Sequence, residues 1–474
     1  MYPIDRDSDV PMRRQLYAEI RSRILDGRHP AGWKLLPSRE LARSLHVSRM
    51  TVVEAYEQLE AEGYVEAKVG DGSYVAPGAA LAARAAMSVS RAAKKRDTQP
   101  GESTTSAGLL YRTDLIDFRT GLPELDAFPI AQWKRLTREV LDAITPAELA
   151  YGPPEGVGEL REAVAGYLAA RRGLLLSPEN VVIVAGTTQA IGLITRLLVT
   201  RDRSNVIVED PVTSDIRQII ASFGGRPVPV PVDDDGLDTA RLPDVRPAFV
   251  YVTPSHHYPI GGILPARRRS ELAEYAERAN CWVVEDDYDS EYRFGGDPVG
   301  TLQELLPHRV IYIGTFSKTV FPGLRLAFVV LPDALVAAAR TAKWHTDLHN
   351  PVVEQKTLAR FVAEGYFERH IARSRRSLER RHLQTRAILE QHFGSAVSIR
   401  GAPAGLHLAA TFPGTSFDAG VLEAARERGV KLYPASEHAA NGHDWNDTLL
   451  FGYGMLPVRR IEEGIAVVRE FIGG

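Results

Sequence analysis

Lys318 sits in the run GTFSKTVFPGLRLAFVV, directly after an apolar stretch, residues 310–313, with the length of a buried strand. A lysine held at a strand end can present its amine to an aldehyde cofactor and form an internal Schiff base. The hydroxyls of Thr315 and Ser317 and the rigid fork of Arg325 supply the donors that a phosphate group requires. A lone lysine in a loop is ordinarily a solvated charge, so the reading depends on companion pieces at other strand ends. Two are present. In AGTTQA, after the apolar run 181–184, Gly186 permits a tight turn, and Thr187 and Thr188 place donors at a helix start, an anion cradle. In VVEDDYDSEYR an acidic side chain just past the run 281–285 can pair with a protonated pyridine nitrogen, and Tyr288 can donate to a ring oxygen. Taken singly, the first is also a plain helix cap and the second an acidic loop at a sheet edge.

Such pieces converge only if a scaffold brings strand ends together. Short apolar segments at 181–184, 206–209, 248–253, 281–285, 310–314 and 326–330 alternate with amphipathic helical stretches such as 267–279. Continuously apolar strands separated by helices predict a largely parallel sheet covered on both faces. Residues 113–474 therefore fit a large α/β domain with a smaller C-terminal α/β subdomain near 345–474. No internal repeat is visible.

Residues 1–78 have a different texture. Leu16, Ile20 and Ile24 fall on one helical face, and Gly27 is a natural stop. The run LPSRELARSLHVSRMTVVEAYEQLEAEGY supplies two helices around a turn at His46 and Val47. Ser38 is expected to cap the first helix, with Leu41, Ala42 and Leu45 inward; Ser48 is expected to cap the second, with Val52, Val53, Tyr56 and Leu59 inward. This is helix-turn-helix spacing, and YVEAKVGDGSYV adds two short strands around Gly70, Asp71 and Gly72 as a wing. The first turn of the second helix is free for base edges, which makes Ser48, Arg49 and Thr51 candidate DNA contacts. Arg39 is placed for a phosphate and Lys68 reaches out from the wing. Charge counting alone does not favour DNA, because residues 1–78 hold eleven Lys and Arg against twelve Asp and Glu. Polarity is local instead: Lys34, Arg39, Arg43 and Arg49 face Glu40 alone within 33–52, while Glu54, Glu57, Glu60 and Glu62 gather beyond. The plain alternative is a solvated surface.

Between these regions, residues 79–112 lack any sustained apolar period and read as a flexible linker. At 474 residues the chain exceeds one ordinary core, with 44% hydrophobic and 25% charged residues as in a globular protein. Its net charge of -3 does not by itself demand a polyanionic partner. Cys281 is the one cysteine, which excludes an intramolecular disulfide and suits a buried small hydrophobe in a reducing compartment. The N-terminus shows no secretory apolar region, no run approaches the roughly 20 residues of a membrane span, and no metal-ligand spacing stands out. A cytoplasmic location is expected.

The segment PSRELARSLHVSRMTVVEAYEQLEAEGYVEAKVGDGSYV, with QLYAEIRSRILDG before it, resembles the GntR family of winged-helix regulators, which implies dimers on operators of two-fold symmetry. The later motifs, with YGPPEGVGELREAVAGYL, TPSHHYPIGG and GAPAGLH, resemble fold-type I pyridoxal-phosphate enzymes of the aminotransferase class. That resemblance implies Lys318 as the Schiff-base lysine, Asp286 rather than Asp287 as partner of the pyridine nitrogen, and Tyr288 as donor to the cofactor hydroxyl. It also implies Gly186, Thr187, Thr315 and Arg325 as phosphate ligands, and Tyr151 as a residue reaching the neighbouring subunit's phosphate in a homodimer. Both halves in one chain, with DFRTGLPELDAFPIAQW after the linker, resemble the MocR subfamily of GntR regulators. This implies a DNA-binding transcription factor whose aminotransferase-like domain senses pyridoxal phosphate, alone or with an amine or amino-acid-related effector.

Three positions depart from the aminotransferase pattern. Thr213, in EDPVTSD, stands where a tyrosine usually stacks on the cofactor ring, a term of about 0.5–1.5 kcal/mol. Leu450, in LLFGYGML, stands where an arginine usually clamps the substrate α-carboxylate. Tyr258 stands where an asparagine is usual. These departures argue against ordinary α-amino-acid transamination, with an active transaminase bearing a DNA-binding head as the alternative. His256, His257 and His345 are further candidates to line the pocket, although dispersed histidines more often pack or face solvent.

Overall fold

The computed structural model describes residues 2–6, 8, 10–68, 71–77, 115–295, 300–441 and 445–472. The chain divides into two compact units, Met1–Leu110 and Tyr111–Gly474. The expected linker at 79–112 and Gly70 of the wing lie outside the described residues.

In the first unit, α1 (Met12–Leu25) buries Leu16, Ile20 and Ile24, as their four-residue spacing requires. The helices α2 (Ser38–Leu45) and α3 (Arg49–Ala61) are separated by a turn in which His46 adopts a left-handed φ of 52°. Ser48 caps α3, its Oγ accepting the Thr51 N–H at 3.1 Å. Ser38 does not cap α2. It is already the first helical residue, and Pro37 takes the preceding position without a side-chain hydrogen bond. The inward stripe of α3 is Val52, Ala55, Tyr56 and Leu59; Val53 is half-buried, and the small Ala55 turns in where α3 packs on α1. The wing consists of β1 (Val65–Lys68) and β2 (Gly72–Val75), paired antiparallel from Val65–Val75 to Lys68–Gly72. A third segment joins it through Lys34, which bridges Tyr74.

The second unit is built on an eight-stranded sheet in the order β4-β11-β10-β9-β8-β5-β6-β7. Its strands are β4 (Val181–Val184), β5 (Asn205–Asp210), β6 (Arg226–Asp233), β7 (Gly236–Leu237), β8 (Phe249–Val252), β9 (Trp282–Asp287), β10 (Val310–Thr315) and β11 (Ala327–Val330). Strands β10, β9, β8, β5 and β6 run parallel, while β11 lies antiparallel between β10 and β4. The helices Thr187–Leu198, Ser214–Ser222 and Asp333–Asp347 contribute to one core cluster with the sheet, and Ala266–Ala279 contributes to another. Covering on both faces accounts for strands such as β4 and β8 being buried at every residue.

A smaller layer follows, with β12 (Ser398–Arg400), β13 (His407–Thr411) and β15 (Thr448–Gly452) in one antiparallel sheet. The segment at the start of the unit also belongs here: β3 (Ile116–Asp117) pairs parallel with β14 (Val430–Lys431), and Phe118 packs edge-on against Phe451. The small subdomain is therefore not purely C-terminal. Its apolar pairing recruits residues from before the large sheet, and the chain then runs past the carboxyl ends of the central strands through Thr120 and Gly121. Among the described residues no helix is long and apolar enough to cross a membrane.

Candidate functional site

At the carboxyl ends of β5, β8, β9 and β10 and the start of the helix Thr187–Leu198 lies a cavity of 270 Å³. Ligands of open α/β sheets collect at this edge, because loops there project side chains while the strands stay rigid. Lys318, Asp286, Tyr288, Thr187, Thr188, Thr213 and Tyr258 all line it.

Strand alternation decides between the neighbouring acids. Asp286 faces the cavity, whereas Glu285 accepts the N–H groups of Leu302 and Gln303, and Asp287 accepts from Arg172, Tyr312 and Ser290. Asp286 Oδ2 accepts the Tyr251 hydroxyl at 2.7 Å, while its buried Oδ1 has no hydrogen-bond partner among the described residues. Burial pushes this carboxyl up to about 7 against the opposing pull of Tyr251. Such an oxygen is costly unless something cationic or protonated meets it.

The Lys318 amine donates to the Gly121 carbonyl at 2.8 Å. Burial holds its proton affinity below the usual lysine range, with Asp289 and Asp286 pulling the other way. A lysine biased toward its neutral form is the state able to attack an aldehyde. Gly121 has a φ of +74°, and a Cβ there would fall 2.7 Å from the Lys318 amine, so the chain crosses this point without a side chain.

At the other end, Gly186 precedes the helix Thr187–Leu198 with a φ of +103°. A Cβ on it would lie 2.5 Å from Arg325 Nη2, which donates to the Ala185 carbonyl at 2.6 Å. The first N–H groups of an α-helix have no intrahelical acceptor, so this helix start, with Thr187 on the cavity wall, is able to hold an anion. Of the four expected phosphate ligands only Thr187 lines the cavity; Gly186, Thr315 and Arg325 do not, and the Thr315 Oγ1 accepts the Ser317 N–H at 3.2 Å, supporting the turn that carries Lys318. Tyr151 is 79% exposed and is not among the residues lining this chain's cavity. Pyridoxal phosphate fits this donor set: a half-buried lysine amine, a carboxylate oxygen lacking a partner among the described residues, and a helix start preceded by glycine.

Tyr258 donates to or accepts from Thr120 Oγ1 at 2.8 Å. Leu450 is buried in an apolar cluster with Ile260, Ala409 and Ala435 rather than among the lining residues. His256 and His257 are buried, and His345 is exposed on its helix. The sequence reading missed Tyr251, hidden in an apolar run that reads as pure core. Thr120 and Gly121 lie in the DFRTGLPELDAFPIAQW motif, yet only tertiary folding shows that Gly121 meets Lys318 and Thr120 meets Tyr258.

On the first unit, Ser48, Arg49, Arg39 and Lys68 are exposed, and Thr51 is half-buried with its Oγ1 2.8 Å from Ser48 Oγ. Lys68 lies over the Tyr74 ring at 4.7 Å. Arg6, which the sequence reading passed over, donates to the His46 carbonyl at 2.9 Å and ties the N-terminal segment to the turn before α3.

Fold and cavity together define an aminotransferase-like α/β domain attached to a helix-turn-helix head. Residues 113–414 match aminotransferase class I and II, and residues 12–75 match the bacterial regulatory proteins of the gntR family. The chain is 36% identical to the probable rhizopine catabolism regulatory protein MocR of Rhizobium meliloti, over 99% of this chain and 95% of that protein. It is 30% identical to the pyridoxine biosynthesis transcriptional regulator PdxR of Corynebacterium glutamicum, covering 93% and 91% of the two chains. Among solved structures, LysN, the α-aminoadipate aminotransferase of Thermus thermophilus complexed with N-(5'-phosphopyridoxyl)-L-leucine, superposes with a TM-score of 0.70 at 28% identity. That likeness covers 76% of this chain and 92% of LysN. The chain belongs to the MocR-type GntR-family transcriptional regulators, with an attached pyridoxal-phosphate aminotransferase-like domain.

Proposed function

We propose that this protein is a cytoplasmic, homodimeric transcription regulator that binds operator DNA through its winged helix and pyridoxal phosphate through Lys318. The observation that carries the reading is one cavity holding both the Lys318 amine and the partnerless Asp286 Oδ1. When bound, pyridoxal phosphate supplies an electrophilic aldehyde carbon for primary amines and a phosphate for anchoring. Lys318 offers the amine, Asp286 holds a proton at the pyridine nitrogen, and Tyr288 donates to the ring hydroxyl. Gly186, Thr187 and Arg325 cradle the phosphate, and Thr315 holds the Lys318 turn. The exposed Tyr151 suits a reach into the partner subunit. On the head, Arg49 and Thr51 face bases, with Ser48, Arg39 and Lys68 at the backbone.

The effector is pyridoxal phosphate itself or an amine without a conventional α-carboxylate. Lys318 is the one cationic side chain among the described lining residues, and Arg325, outside that lining, is taken by the phosphate, so a carboxylate would find no free bidentate partner there. For the same reason the domain senses rather than turns over amino acids. An effector must favour one arrangement of the DNA heads, since equal affinity for both shifts nothing.

The test is operator binding by full-length protein, measured with and without pyridoxal phosphate across a panel of amines, with keto product counted in parallel. The expected result is a severalfold change in operator affinity with product at or below one equivalent of protein. Product accumulating far beyond one equivalent would establish the second reading, a working transaminase, which the shared presence of Lys318, Asp286 and Tyr288 favours.

A further inference from the structure

Behind Tyr288 lies a buried pair to which the cofactor reading gives no role. Asp289 Oδ2 and Oδ1 stand 2.9 and 3.2 Å from His256 Nδ1, and the Tyr288 hydroxyl stands 3.0 Å from the same nitrogen. Both Asp289 and His256 are buried. A single ring nitrogen cannot donate to a carboxylate and accept from a phenol at once. With Nδ1 bare, its lone pair would face the Asp289 carboxylate in a low-dielectric interior. With the proton on Nδ1, that repulsion becomes a charge-assisted hydrogen bond, so this tautomer wins. Tyr288 then has no acceptor in His256. Its proton stays available toward the cavity, whose wall it shares with Lys318 and Asp286.

The fold leaves no room over this pair for a side chain. Gly405, in the GAPAGLH motif, has a φ of +76°, and a Cβ there would fall 2.5 Å from Asp289 Oδ2 and 2.6 Å from His256 Nδ1. The Tyr453 hydroxyl donates to the Gly405 carbonyl at 2.7 Å and fixes that loop of the small subdomain.

We propose that Asp289 and His256 are positioning residues that keep the Tyr288 hydroxyl a hydrogen-bond donor into the cavity, and so set the proton affinity of the linkage between Lys318 and the cofactor. This rests on the functional reading above. The other ionisable groups around His256 are His407, with ring centroids 5.4 Å apart, and His257 and His382. Burial holds His407 and His257 at about 3 and His382 at about 4, so all three stay neutral near pH 7. Asp289, Tyr258, Asp286 and Tyr251 surround Tyr288, and Lys318 shares its cavity wall.

Two measurements on the full-length protein test the proposal. Imidazole nitrogen NMR of the parent should show His256 protonated on Nδ1; a proton on Nε2 instead overturns it. In the cofactor-loaded protein, His256→Phe frees the Asp289 carboxylate, which acts on Tyr288 through space, to draw the Tyr288 proton out of the cavity. The apparent pKa of the visible band should rise by about one pH unit, a tenfold change in proton affinity. Tyr288→Phe should raise it similarly, the double variant should add nothing further, and His256→Gln, which keeps a side-chain N–H for Asp289, should restore most of the parent value. An unmoved pKa in His256→Phe, or additive effects, overturns the positioning role. A parent that takes up no borohydride-fixable cofactor overturns the functional reading, and the histidine tautomer then decides the Asp289–His256 arrangement by itself.

Discussion

The two units place their working side chains in opposite environments. On the head, Ser48, Arg49, Arg39 and Lys68 stand exposed on a scaffold whose own core is Leu16, Ile20, Val52 and Leu59. In the pocket, Asp286 and Tyr251 are buried, and the Lys318 amine is enclosed with them. Exposed side chains meet water on both sides of folding, so, Ser48 apart because its Oγ caps α3, removing one alters binding and leaves the fold alone. Enclosed side chains shift their own proton affinities, and replacing them changes stability, pH response and ligand binding together.

The largest expected effect is at Lys318. Lys318→Ala should eliminate the borohydride-fixable cofactor while the winged helix still binds its operator, as gel-shift titration would show; fixation that persists would place the linkage on another lysine. Asp286→Asn should weaken pyridoxal phosphate about 10- to 100-fold by dissociation titration, roughly 1.4–2.7 kcal/mol. The same variant sharpens the contrast through pH. The folded carboxyl titrates at about 7, above its value in the unfolded chain, so the unfolded state releases its proton first as pH rises. Keeping the acid therefore costs the cofactor-free fold nothing near pH 3, progressively more above about pH 4, and its full amount above about pH 7. Asp286→Asn should raise the cofactor-free Tm at about pH 8, by the equivalent of about 1–3 kcal/mol, with little effect near pH 3. A variant no more stable than the parent at the higher pH would remove the buried-acid account.

On the head the effects are smaller and separable. Arg49→Ala should cost about 1–3 kcal/mol of operator affinity at fixed salt with an unchanged melting temperature. Ser48→Ala should cost about 1 kcal/mol of stability through the lost α3 cap, read by thermal unfolding. If Arg49→Ala instead lowered the melting temperature as much as Ser48→Ala does, the contrast between exposed and enclosed function would fail.

The same contrast explains what could be read from the sequence. The head is local: its turn, its cap at Ser48 and its apolar stripe repeat within a single helix pair, so spacing alone nearly suffices. It failed at Ser38 and Val53, where one residue of phase decides between cap and first turn, or between core and flank. The pocket draws on strand ends from Thr187 to Lys318, and the strands themselves were legible as apolar runs. Its partners were not. Tyr251 reads as core until β8 is seen beside β9, and Gly121 lies 197 positions from the amine it holds. Nor does composition show that residues at 116–118 return to the small subdomain, since a two-residue strand carries no periodicity of its own.

The central claim is tested most directly by incubating the full-length protein with pyridoxal phosphate, reducing with borohydride, and mapping the modified residue by peptide mass spectrometry. The account predicts one cofactor per chain, fixed at Lys318, and a lower yield in Asp286→Asn. Fixation spread over surface lysines, or none at Lys318, would contradict it.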